Sequence, residues 1–188
     1  HIRTIYIGSS YTFGQAVNCV SDPRIDREFA VASCNVIHDA YELSRQQKIR
    51  VIVDAKKEAD VQVNLRVCSF KEENCNQCEK CFRTMIEIVA EGGNVNDFGF
   101  HIEGSFCEAL KAFLKNNVKE IDNDHLVFWK DAIARMSENY NKLLDKDTAD
   151  FLVTFDFEKE KKHGLWRYYR QNFFSIVKRK LRSIIRRG

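Results

Sequence analysis

Cys68, Cys75, Cys78 and Cys81 fall within fourteen residues, in the spacing C-x6-C-x2-C-x2-C. Thiolates placed this way are metal ligands. Zinc takes four thiolate or imidazole donors in a tetrahedron, and a C-x2-C pair lets one tight turn supply two of them. The C-x2-C-x2-C run can supply three, from one turn of loop and the first turn of a helix. Cys68, arriving on an extended segment, completes the shell. With four protein ligands no position is left for water, so the expected Zn2+ is structural rather than catalytic. Two rivals use the same residues. Free thiols, or a redox pair such as Cys75 and Cys78, would need neither Cys68 nor Cys81 at these spacings; a four-iron cluster would use all four. Cys19, Cys34 and Cys107 are scattered and read as small buried hydrophobes.

The stretch Cys68 to Arg83 resembles the zinc loop of the 7-cyano-7-deazaguanine synthases. These belong to the PP-loop ATP pyrophosphatases and carry C-Y-x(n)-C-G-x-C-x-x-C-x-x-R. Here Arg83 stands two residues beyond the last cysteine instead of three, and Asn76 stands at the glycine. Ser44-Arg-Gln-Gln-Lys-Ile49 is similar to the family's [ST]-K-x-[ED]-I segment, which opens the helix before the zinc loop. The resemblance covers roughly residues 4 to 90. It implies an α/β fold: the C-terminal half of a PP-loop (adenine nucleotide α-hydrolase-like) domain with a four-cysteine zinc loop, followed by a helical extension. It implies ATP-dependent adenylation of a small molecule, with pyrophosphate leaving, as a C–N ligase-like enzyme would do. The family's Ser-Gly-Gly-x-Asp-Ser loop has no counterpart, because Ile7-Gly8-Ser9-Ser10 offers one glycine and no aspartate. ATP is therefore expected only where a missing N-terminal half supplies the loop, and the chain is expected to be inactive alone.

Ligands of open α/β sheets sit at the carboxyl ends of strands. Ser9 and Ser10, with Tyr11 and Thr12, follow one predicted strand; His38 and Asp39, with Glu42, Arg45 and Lys48, follow another. These are candidate substrate contacts, Arg45 or Lys48 steering a phosphate or carboxylate. The plain alternative is an ordinary turn and a solvated helix start, with Glu42 and Arg45 paired on the surface. No nucleophile–base motif is evident. His101, His125 and His163 lack partners at metal-ligand spacing.

Three regions must position these residues. Residues 1–95 hold a partial PP-loop-like unit. It has short strands at Thr4–Gly8 and Asn35–His38 and a helix from an N-cap at Ser44 to about Glu58. Val61–Val67 is extended, the zinc loop covers 66–83, and a helix then ends at Gly92-Gly93. After a break at Asn94–Gly99, residues 96–150 read as helical, with helices at Phe106–Asn117 and Asp124–Leu144. In 151–188, the alternation of Phe151–Phe157 predicts an edge strand, followed by a charge run and a basic amphipathic helix from Trp166. A sheet of two or three strands cannot bury both faces, so the chain should form a homo-oligomer or belong to a longer protein.

Charge points the same way. The chain carries 30 Lys and Arg against 27 Asp and Glu. The segment after Gly164 has eight bases and no acid, which leaves 22 against 27, or −5, for the rest. In residues 166–187, Trp166, Tyr169, Phe173, Val177, Leu181 and Ile184 recur at helical spacing among bases. That pattern suits an anionic membrane surface or an acidic protein face, or packing on the chain's own body, with nucleic acid as a further partner class. No secretory signal or ~20-residue apolar span is present, which points to the cytoplasm, with a peripheral membrane position open.

Overall fold

In a computed structural model, residues 2–9, 11–12, 22–30, 34–59, 61–164, 166 and 170 are described. The fold is mixed α/β and mostly helical. Strands β1 (Thr4–Gly8) and β2 (Asn35–Asp39) pair in parallel, Thr4 opposite Asn35 and Gly8 opposite Asp39. Among the described residues this is a two-stranded sheet. Helices are α1 (Pro23–Asp26), α2 (Arg45–Ala59), α3 (Glu79–Ala90), α4 (Phe106–Asn117), α5 (Asn123–Glu138) and α6 (Lys146–Thr154). None of the described helices is long and apolar enough to cross a membrane.

Caps explain where the helices begin. Ser44 and Gln47 form a reciprocal capping box: the Ser44 hydroxyl accepts from Gln47 N–H, and the Gln47 side chain accepts from Ser44 N–H. Ser105 caps α4 and Asp122 caps α5, each accepting an N–H three residues on. Val61–Val67 is irregular rather than a paired strand, and Leu65 N–H donates to Phe98 O.

The region expected to be an edge strand is helical. Asp145 caps α6 by accepting from both the N–H and the hydroxyl of Thr148. Phe151 lies within α6, and 157–164 is helical again. Alternating Phe and polar residues read as period two. The side chains that are buried, Thr148, Ala149 and Leu152, instead fall on one helical face. Phe155 stands at the break, where its ring meets those of Phe151 and Phe157 at 5.3 and 4.8 Å.

The core is built around α3. Every residue from Cys81 to Ala90 is buried, and α2, α5 and the 3-10 turn Val95–Phe98 pack about it. Fully burying side chains such as Met85, Ile86 and Ile88 contributes about 1.5–3 kcal/mol apiece. An aromatic stack extends this core: Phe82 lies 4.3 Å from Phe113, and Phe113 lies parallel to Trp129. One continuous core runs from Ile49 to Phe157, drawing on both sides of the Asn94–Gly99 break. By contrast the sheet is poorly covered, with Ile5, Tyr6 and Ile37 all exposed.

Gly92 ends α3 with φ +68, and a Cβ there would stand 2.6 Å from the backbone oxygen of Lys142. Strain and overlap coincide, so Gly92→Ala is expected to cost more than about 2 kcal/mol. Gly8→Ala, where nothing lies within 4 Å of the added carbon, should change stability little. Urea unfolding of the two variants side by side checks this.

Candidate metal centre

The four predicted cysteines converge. Each offers its sulfur, and the four sulfurs lie within 4.8 Å of one another. Cys81 Sγ is 3.5 Å from Cys78 Sγ and 3.9 Å from Cys75 Sγ. Four thiolates about 2.3 Å from one zinc ion sit roughly 3.8 Å apart, so the cluster has the size of a single-ion site. A four-iron cluster puts each thiolate on a different iron and spreads the sulfurs to roughly 6 Å, wider than the four stand here.

Local structure builds the cage from two directions. Cys78 is the N-cap of α3, and Cys81 sits in its first turn, buried. Asn76 holds φ +54, the left-handed conformation that the tight turn between Cys75 and Cys78 requires. Asparagine tolerates that region better than any residue with a larger side chain, so it can replace a glycine there. Its side chain also donates to Asn74 O and accepts from His101 N–H. The chain entering through Cys68 is held by Asn74. The Asn74 side chain accepts from the N–H groups of Val67 and Cys68 and donates to the carbonyls of Leu65 and Gly99. Asn74 was not singled out in the sequence; its position next to Cys75 was the available signal.

The thiols are not equivalent. The N–H of Phe70, 3.4 Å from the sulfur, together with those of Cys75 and Lys71, brings the Cys68 thiol down to about 6 against the effect of burial. Burial pushes the Cys78 and Cys81 thiols up. A bound cation would supply the positive charge that the deeper thiolates need.

The residues at the strand ends separate into pairs. Lys48 Nζ donates to the Ser9 carbonyl at 2.5 Å, and Ser9 N–H donates to Asp39 O at 3.0 Å, so Ser9, Asp39 and Lys48 do come together. Burial lowers the Lys48 ammonium from its ordinary value, with nearby Arg45 acting in the same sense. His38 instead turns to Asp26, Nδ1 to Oδ2 at 2.5 Å, both side chains buried. The Ser9 and Thr12 hydroxyls donate to the carbonyls of Tyr11 and Tyr41. Ser10 lies outside the described residues, as do all of the basic segment from Trp166 except Trp166 and Arg170.

Arg45 faces inward rather than pairing with Glu42. Its Nε reaches both carboxylate oxygens of Glu87 at 2.8 and 3.0 Å, and its Nη2 donates to Thr84 at 2.7 Å. Glu87 was missed in the sequence, although an acid inside the otherwise apolar run Met85–Ala90 marks a buried pair. Burial pushes its carboxyl up to about 7, against the pull of Arg45 and Arg83. A carboxyl raised above its ordinary 4.5 keeps a proton in the folded state that the unfolded chain has lost. Stability should therefore fall as pH rises from about 4.5 to 7. Glu87→Gln cannot ionise, while the metal site is common to both chains. Wild type should lose stability relative to the variant between about pH 4.5 and 7; a pH-independent difference in urea unfolding would show the pair ionised throughout.

No family model, curated protein or solved structure matches this chain.

Proposed function

We propose that the chain is the zinc-braced part of an ATP-dependent adenylating enzyme, resembling the PP-loop ATP pyrophosphatases, and that it does not turn over ATP by itself. The observation that carries this reading is the order of the parts. A parallel β1–β2 pair leads into a capped helix, then the four-cysteine cage, then the buried helix α3. Lys48 stands on the Ser9 carbonyl at the strand ends, where such sheets take ligands. Two further features support it. Asn76 adopts the conformation that suits a glycine at that position of the zinc loop, and the exposed sheet leaves room for strands from a second copy or from an N-terminal half. The zinc is structural, because the chain supplies all four ligands.

The test is ATP–pyrophosphate exchange by the native protein, zinc-loaded, with small carboxylic acids and amides as substrates. Substrate-dependent exchange is expected only when a polypeptide carrying the Ser-Gly-Gly-x-Asp-Ser loop is present, and not from this chain alone. Its absence from that combination, with one zinc per chain, overturns the enzyme reading.

A second reading, a non-catalytic zinc module that docks through residues 166–187, draws on Trp166. That residue is 62% exposed, with the Arg170 guanidinium 5.5 Å from its ring. Co-sedimentation with phosphatidylserine vesicles and not with phosphatidylcholine vesicles would favour it.

A further inference from the structure

Arg83 is buried beside the metal cage, its side chain only 5% exposed. Among the described residues, the buried side-chain donors without a hydrogen-bond partner are its Nε and Nη1. Neither Glu79 nor Phe128 satisfies them. Glu79 Oε1 accepts from Trp129 Nε1 at 2.9 Å and stands off at 3.5 Å from Arg83 Nε. Phe128 offers a ring face 5.0 Å from the guanidinium carbon, which attracts the charge but satisfies no N–H. Arg45, the other guanidinium near this ring, is committed to Glu87. Burying a charged donor without an acceptor is costly, so a structure that does so has an acceptor in view.

A cavity adjoins this side chain. Arg83 lines a cavity of about 380 Å³ between the start of α3, the helix α4 and the segment Glu120–His125. Lys80 and Phe113 share the lining, which gives the cavity a second cation and an apolar wall. Its remaining charges are acidic, Glu79, Glu120 and Asp122, with His125 beside Asp122 at 3.2 Å. Those acids decide the ligand class. A dianionic phosphate would meet three carboxylates against two cations, whereas a single negative charge on an apolar body matches both the guanidinium and the Phe113 wall.

We propose that this cavity binds a small monocarboxylate, with its carboxylate on the Arg83 guanidinium and its hydrocarbon part against Phe113. The site is separate from the strand ends and does not depend on the adenylation reading.

The test uses zinc-loaded, ¹⁵N-labelled full-length chain, following the Arg83 Nε–H resonance, assigned through its proximity to the Phe128 ring. The probes are benzoate, benzamide and inorganic phosphate. Benzoate should shift this resonance saturably; benzamide, of the same shape without the charge, should not, and phosphate should act only weakly. Arg83→Lys should weaken benzoate binding about tenfold or more, since an ammonium cannot offer the guanidinium fork. No benzoate shift up to its solubility overturns the proposal, whether or not the lysine variant folds. An equal response to benzamide overturns recognition of the charge, and tighter phosphate binding overturns the monoanion assignment.

Discussion

Cys78→Ser is expected to carry no zinc and to lose cooperative folding. Structural zinc contributes an apparent ~10–16 kcal/mol at neutral pH in small sites, as much as the ~5–15 kcal/mol that holds a whole domain together. Here the metal would not brace a peripheral loop. Cys78 is the cap of α3 and Cys81 belongs to it, while the next nine residues of that helix are core. Opening the cage frees the first turn, and with it Glu79, whose carboxylate accepts from Trp129. The stack of Trp129, Phe113 and Phe82 should then loosen, so near-UV circular dichroism would fall together with the zinc content, from one ion per chain to none. A variant that unfolds at the wild-type temperature, or a wild type that keeps its Tm in excess chelator, would sink the structural role. Protons compete with the metal for the thiolates, so wild-type zinc affinity should also drop as pH falls.

Arg135→Met is the second large expected loss. Glu91 is buried, its side chain 3% exposed, and it depends on Arg135 from α5, whose Nε and Nη2 reach it at 2.9 Å. Gln46 supplies one more donor at 2.8 Å. Removing the arginine leaves a carboxylate in the core with that single partner, which costs about 3–5 kcal/mol. For a chain of this length the melting temperature should drop by about 10 °C. Adding Glu91→Gln removes the stranded charge and should recover more than half of the loss. An equal loss in the double variant would show that Arg135 stabilises through packing alone. Arg50→Ala provides the control: its partner Asp54 is exposed at 3.5 Å, and the change should stay within about 0.5 kcal/mol.

What could be read from the sequence follows the range of the interactions. The cage is written in short spacings, and the convergence of its four cysteines was legible for that reason. Local caps are equally plain: Ser44 sets the start of α2 where the sequence placed it, and α4 begins at Phe106 as expected. The helix expected over Asp124–Leu144 ends earlier, at Glu138, because the chain tightens into a 3-10 turn at Tyr140–Lys142. The strand expected at Phe151–Phe157 failed because period-two and helical patterns overlap in seven aromatic-rich residues, and only the contact of Leu152 with the core decides between them. The pairs Arg45 with Glu87 and Arg135 with Glu91 join residues more than forty positions apart. They lead from a surface-seeming arginine to a buried acid, and no local pattern announces them. The same holds for His38, which looked like a strand-end contact until Asp26 was placed beside it.

The burial of α3 from Cys81 to Ala90 has a consequence for how the chain is made. Its ligands leave the ribosome well before the helices that cover it, since Trp129 follows Cys81 by 48 residues. At translation rates of ~5–20 residues per second the apolar surface of α3 waits some ~2–10 s for α5. Metal captured in that interval would fix the first turn of the helix while its flanks are still open. A cell short of zinc would instead present a sticky, half-formed segment to chaperones and proteases, so zinc supply during synthesis should govern how much of this protein accumulates.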